Sequence, residues 1–330
     1  MSDEQLDLPV SADVFSAAQT IAGQVHTTPL MHSRQLDALS GASLHFKCEH
    51  LQKVGAFKAR GACNALARLP EGTNLVATHS SGNHGAALAW AAARAGLGCR
   101  VVMPETAPLA KRVAVASYGA EIVLCGPSLA DREAALARLV AETSAHVVPP
   151  FDDRRIIAGQ GTVALEIMQQ CREAGFNPDI VIAPVGGGGL LAGIGLAMAA
   201  LDPGVMVLGA EPAGADDAQR SLRSGHLITS QQPNTMADGL RTTLGQRNFA
   251  VIRQTVRDIV TVSEAGIVEA MELLWTRTKQ LVEPSAAVGL AAVLEHSARF
   301  RNKQVAVVLT GGNMDLDRAC SLFSSREKIV

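Results

Sequence analysis

The stretch that decides the fold is DIVIAPVGGGGLLAGIGLAMAAL, residues 179–201. It opens on a β-branched run, DIVIAPV (179–185), breaks at Pro184 and at Gly186 to Gly189, and resumes as the helix-like LLAGIGLAMAAL (190–201). A hydropathy window would take the uncharged run from Val181 to Leu201 for a membrane span. Pro184 and the four glycines cut it instead into a short strand, a loop and a short helix. A buried strand that feeds a helix through glycines is the unit of a parallel α/β sheet.

The same unit recurs outward in both directions. LVATHS (75–80) precedes AALAWAAARAG (86–96), CRVVMP (99–104) precedes APLAKRVAVASYG (107–119), and EIVLCG (121–126) precedes SLADREAALARLVAETS (128–144). VMVLGAEP (205–212) follows the deciding stretch, and VAVVLTGGN (305–313) reads as one more buried strand ending in a glycine turn. This alternation predicts an α/β fold with parallel sheets and right-handed crossovers. Three units fall between about 75 and 150, which points to a small α/β domain inserted into a larger one.

The bulk numbers agree with a globular enzyme. The chain has 330 residues, 48% of them hydrophobic and 18% charged, enough apolar surface for two domains. A formal net charge of −2 gives no basic field for nucleic acid or anionic lipid, and 3% aromatics argues further against single-strand binding. Cys48, Cys63, Cys99, Cys125, Cys171 and Cys320 form no C-x-x-C pair, as expected for reduced thiols in the cytoplasm. The acidic start MSDEQLDLPV lacks the apolar core of a secretory signal.

Three strand ends are glycine-rich: SSGNHG (80–85), GGGG (186–189) and TGGN (310–313). Ligands in open α/β sheets bind at such ends, where glycine lets backbone approach and a helix N-terminus offers free N–H groups to an anion. Each loop also reads as a plain tight turn. The tetraglycine has a sharper alternative, because Gly187, Gly189 and Ala192 satisfy G-x-G-x-x-A and Glu211 ends the next strand, where a ribose-binding acid would stand. That reading gives a Rossmann-type NAD-dependent oxidoreductase. Against it, such fingerprints normally open their domain, whereas this one lies past the middle of the chain.

KCEHLQKVGAFKARGACNAL (47–66), THSSGNHGAAL (78–88), IAGQGTVALEI (157–167), PVGGGGLLAGI (184–194), AEPAGADD (210–217), ADGL (237–240), EPSAAVGLAAV (283–293) and LTGGNMDL (309–316) occur in one order. That ordered set resembles serine racemase and the serine/threonine dehydratases, pyridoxal-phosphate enzymes of fold type II. The resemblance runs from about residue 15 to 320. It implies two open parallel-sheet domains, a large cofactor-binding one of residues 1–75 and 155–330 and a small mobile one of 76–154. It implies a homodimer as well.

The resemblance also carries roles, residue by residue. Lys58 is implied to form the internal Schiff base and then, once freed, to act as base. Phe57 is implied to pack on the pyridine ring, Asn83 to hydrogen-bond its hydroxyl, and Thr310 to lie beside its nitrogen, where the family usually has serine. Gly186, Gly187, Gly188 and Gly189 resemble the phosphate cradle, and the backbone of Ser80, Ser81, Gly82, Asn83 and His84 the substrate-carboxylate site. Glu211, the carbonyl of Ala215 and Asp217 match a divalent-cation site suited to Mg²⁺ or Ca²⁺, although two carboxylates capping a helix would look the same.

The implied activity is β-elimination from a small hydroxy amino acid such as L-threonine or L-serine, yielding a 2-oxo acid and ammonia. Ser81 matches the second acid/base of serine racemase, on the opposite cofactor face, so racemisation is the first alternative. Arg132 stands where relatives have an arginine able to reach the active site, and it could pair with a second substrate carboxylate, as in 3-hydroxyaspartate. An exposed helix arginine beside Asp131 and Glu133 is the plainer reading of it. A binding module without catalysis would have lost Lys58. With about twenty residues after Thr310, no C-terminal regulatory domain and no isoleucine feedback are expected.

Overall fold

The computed structural model describes residues 6–80 and 82–324, except the side chain of Ala110. Among them ten strands run in chain order: β1 (Leu30–His32), β2 (Ser43–Lys47), β3 (Leu75–His79), β4 (Gly98–Pro104), β5 (Glu121–Cys125), β6 (His146–Val147), β7 (Ile180–Pro184), β8 (Met206–Pro212), β9 (Asp258–Val262) and β10 (Gln304–Val308). They form two sheets. The larger has the order β1-β2-β10-β7-β8-β9 and the smaller β5-β4-β3-β6. Every pairing of these strands is parallel except that of β1 with β2.

The deciding stretch divides as its residues require. β7 ends at Pro184, a loop carries Gly186 to Gly188, and the helix Gly189–Leu201 begins at once. Gly188 has φ +90°, a left-handed conformation that side chains resist. Burial on both faces explains the near-continuous apolar run of β7. Ile180 and Ile182 face one core with the helices Glu264–Leu273 and Pro284–Glu295, while Val181 and Ala183 face another with Arg154–Glu173 and Gly189–Leu201. Two further cores flank the smaller sheet. No helix among the described residues is long and apolar enough to cross a membrane.

The helix Lys58–Leu66 is fixed with unusual closeness. It crosses Arg154–Glu173 where a Cβ added to Gly159 would stand 2.7 Å from the Cα of Gly61. Beside that crossing lies a buried ion network. Arg60 donates to Glu49 at 2.7 Å from both Nε and Nη2, and to Glu166 at 2.6 and 2.9 Å. Lys47, fully buried on β2, donates to Glu166 at 2.6 Å and to the carbonyl of Thr28 at 2.7 Å.

Candidate active site

Lys58 opens its helix directly after Phe57. The backbone N–H of Phe57 donates to the carbonyl of Thr310 at 3.1 Å, and Ala56 bridges Gly311, so the turn after β10 holds the helix start. The amine of Lys58 donates to the carbonyl of Pro150 at 2.8 Å and lies 5.0 Å from the centre of the Phe57 ring. Burial pushes this amine down to about 8. The next residue along, Phe151, lies on the tetraglycine: a Cβ on Gly187 would stand 2.3 Å from its ring, and one on Gly189 3.0 Å from its carbonyl oxygen. Two consecutive residues therefore bring Lys58 and the tetraglycine close to each other.

The tetraglycine is braced from behind. Asn248 donates to the carbonyl of Gly187 at 2.6 Å, and Asp152 accepts from the backbone N–H groups of Gln246 and Arg247. The first N–H groups of the helix Gly189–Leu201 have no partner within their own helix, which suits a phosphate. A bare backbone cradle facing a desolvated amine fits pyridoxal phosphate.

The loop after β3 supplies the opposite wall. Gly82 donates to Ser80 Oγ at 3.3 Å, and the helix Asn83–Arg94 starts immediately. Ser81 lies outside the described residues. His84 is buried with Nε2 3.1 Å from the carbonyl of Val148, while its Nδ1 has no partner. Burial, followed by the charge of Lys58, pushes His84 down to about 3, so it is neutral near pH 7 and its Nε2 carries the proton.

Asn83 joins the two walls. Its Nδ2 donates to Glu283 Oε1 at 2.9 Å, and its Oδ1 accepts from Asn313 Nδ2 at 2.8 Å. Glu283 is buried, and burial pushes its carboxyl up to about 7. Lys111, from a helix of the smaller sheet, pairs with Asp238 on the larger side. Sequence reasoning assigned no role to Glu283, Asn313, Phe151 or Asn248. Glu283 stands before Pro284 at a helix start and reads there as a plain terminal acid.

Three other assigned groups, Arg132, Glu211 and Asp217, make contacts of their own. Arg132 sits on Leu129–Thr143 with its Nε 3.4 Å from the carbonyl of Ser128, and its charge bears on His79, the last residue of β3. Glu211 and Asp217 are both buried. Glu211 accepts from Gln219 N–H at 2.6 Å and from Ala218 N–H at 3.3 Å, and Asp217 accepts from Leu244 N–H at 3.0 Å and from Gln231 at 2.6 Å. Burial, opposed only in part by these bonds, pushes Glu211 up to about 9 and Asp217 to about 6. The charge of Asp217 adds to the rise at Glu211, so the two acids lie within electrostatic reach of each other.

A family model described as pyridoxal-phosphate dependent enzyme matches residues 21–311. Among curated proteins, the beta-hydroxyaspartate dehydratase of Paracoccus denitrificans (strain Pd 1222) is 44% identical, covering 94% of this chain and 98% of that one. Among solved structures, a T.th. threonine deaminase is 48% identical with a TM-score of 0.90, covering 93% of this chain and 99% of that one. Maize serine racemase is 40% identical with a TM-score of 0.91, covering 96% and 97%. These matches assign the tetraglycine to a pyridoxal-phosphate enzyme and displace the oxidoreductase reading.

Proposed function

Because the chain belongs to the pyridoxal-phosphate-dependent enzyme family, we propose that it removes water and then ammonia from a small hydroxy amino acid such as L-threonine or L-serine. The observation that carries this reading is the amine of Lys58, desolvated to about 8 and held over Phe57 close to the tetraglycine. When bound, pyridoxal phosphate supplies a carbonyl carbon for amines and a ring that withdraws electrons from the substrate α-carbon. Gly186 to Gly189 and the helix behind them hold the phosphate. Asn83 would hold the ring oxygen, Phe57 would pack on the ring, and Thr310 would offer a hydroxyl to the ring nitrogen. The hydroxyl of Thr310 would not protonate that nitrogen as a carboxylic acid would, so the ring would withdraw electrons only modestly.

The backbone of Ser80 to His84 takes the substrate carboxylate. Lys58, as the free amine, accepts the α-proton, and that proton leaves with the β-hydroxyl as water; the released enamine then takes up water and hydrolyses to ammonia and a 2-oxo acid. We assign residues 1–75 and 155–330 to the cofactor-binding domain and 76–154 to the domain that closes over it. Glu211, Asp217 and the carbonyl of Ala215 hold Mg²⁺ or Ca²⁺. A homodimer and a cytoplasmic location complete the assignment; six cysteines, none of them paired, suit the latter.

A second reading, elimination from 3-hydroxyaspartate, is favoured by the 44% identical relative of that name and by Arg132 beside His79. A third, serine racemisation, rests on Ser81. Product assays over L- and D-serine, L-threonine and the hydroxyaspartate diastereomers separate the three. Ammonia release from none of them, by unreduced protein whose parallel borohydride-treated sample carries cofactor on Lys58, overturns the elimination reading.

A further inference from the structure

Glu283 is a buried acid for which the proposed mechanism has no use. It ends a loop whose backbone is tied to the turn after β10, because its N–H donates to the carbonyl of Gly311 at 3.0 Å. Its Oε1 accepts from Asn83 Nδ2 at 2.9 Å. The space between the two side chains is closed to any Cβ on Gly311, which would stand 2.7 Å from Glu283 Oε1 and 3.0 Å from Asn83 Nδ2. At the other end of the Asn83 amide, Oδ1 accepts from Asn313, whose Nδ2 also donates to the carbonyl of Val54 at 2.8 Å. Both ends of Asn83 are therefore held, the nitrogen by a carboxylate and the oxygen by an amide N–H that the carbonyl of Val54 orients.

An ionised carboxylate only accepts hydrogen bonds, so the nitrogen of Asn83 must be the end that faces Glu283. That nitrogen has two protons and spends one on Glu283. The second remains for the cleft. A carboxamide turned the other way would offer its carbonyl there, and a carbonyl repels an anionic ring oxygen.

We propose that Glu283 is a positioning residue that fixes the polarity of the Asn83 amide, so that Asn83 presents an N–H to the ring oxygen of pyridoxal phosphate. The inference rests on the family-based placement of the ring at Asn83. It adds that the preference for an anionic ring oxygen is set from behind, by a side chain that does not touch the cofactor. Asp238 and Lys111 are the charged side chains that bear on Glu283.

The test compares two cofactors at pH 8, where Glu283, pushed up to about 7, is an anion. Pyridoxal phosphate and its 3-deoxy analogue, which lacks the ring hydroxyl, are titrated into wild-type protein and Glu283→Gln stripped of cofactor, and borohydride reduction shows whether each is joined to Lys58. Glutamine offers a donor as well as an acceptor and no longer dictates which way Asn83 turns; a second pair of proteins carrying Asn313→Ala removes the donor at Asn83 Oδ1, so that there Glu283 alone sets the amide. The advantage of pyridoxal phosphate over the analogue is expected to fall roughly tenfold, the scale of one charge-assisted hydrogen bond. A merely structural role weakens both cofactors equally; equal weakening, or an unchanged advantage, overturns the proposal. Should Glu283→Gln fail to fold, Glu283→Ala removes the acceptor that holds Asn83 Nδ2 and is expected to lose the same advantage; an advantage retained there overturns the proposal as well. Wild-type protein that joins neither cofactor at Lys58 refutes the family-based placement instead, which keeps the two failures distinct.

Discussion

At the scale of the residue, the amine of Lys58 joins chemistry to stability. Borohydride treatment of the yellow holoenzyme is expected to fix the cofactor on Lys58, seen as one modified peptide, and Lys58→Met is expected to lose it. The same substitution makes a second prediction in cofactor-free protein. Folding lowers this amine from 10.5 to about 8, so the folded chain binds the proton less tightly than the unfolded one. The resulting penalty is absent above 10.5, grows as pH falls, and is complete below about 8. Cofactor-free Lys58→Met is therefore expected to melt a few degrees above wild type at pH 7, with the gap closing towards pH 10.5. Ser81→Ala is expected to lower serine racemisation by about 10²–10⁴-fold, the usual worth of an acid/base group, while L-serine elimination persists; equal loss of both would refute a one-base elimination. Lys58 and Asn83 could be singled out in the sequence because they stand inside short ordered motifs. Glu283 could not be, because its partner Asn83 lies 200 residues away and a lone acid carries no mark of what the fold will set beside it.

At the scale of the element, the helix Lys58–Leu66 depends on its ion network. Removing one partner of a buried pair leaves the other charge stranded. Arg60→Ala is expected to cost about 3–5 kcal/mol in denaturant unfolding, whereas Arg100→Ala, which breaks an exposed pair with Glu121, is expected to cost under about 1 kcal/mol. The loop Gly186–Gly188 makes a different prediction. Gly187→Asp sets a carboxylate against the phosphate and a Cβ against Phe151, so cofactor retention on gel filtration is expected to vanish while the sheet signal in circular dichroism persists. Strands such as β7 announced themselves because they are buried on both faces and run into glycine. β1, β2 and β9 did not. β2 is SLHFK, a mixed sequence whose lysine reads as a surface charge until Glu166, 119 residues on, is seen to neutralise it.

At the scale of the whole molecule, the cation assigned to Glu211 and Asp217 is expected to act on global stability. A ligand that binds only the folded state stabilises it in proportion to RT ln(1 + [L]/Kd). Chelation is expected to lower the melting temperature and Mg²⁺ or Ca²⁺ to restore it; no response in protein shown to be metal-free would leave the pair as helix-capping acids. The two-sheet plan was legible from the alternation of strands and helices, but not how the sheets join. β3 and β6 are neighbours, and β6 has only two residues, paired with Val76 and Ala77. The chain thus passes into the smaller sheet and out of it side by side, and residues 75–147 form a cassette with adjacent ends. Ser80 and Asn83 travel with that cassette, whereas Lys58 and the tetraglycine stay in the frame. Asn83, assigned to the cofactor ring, is then inherited apart from Lys58: a recombined gene carrying another relative's cassette would have to bring an asparagine that still meets Glu283 of the frame.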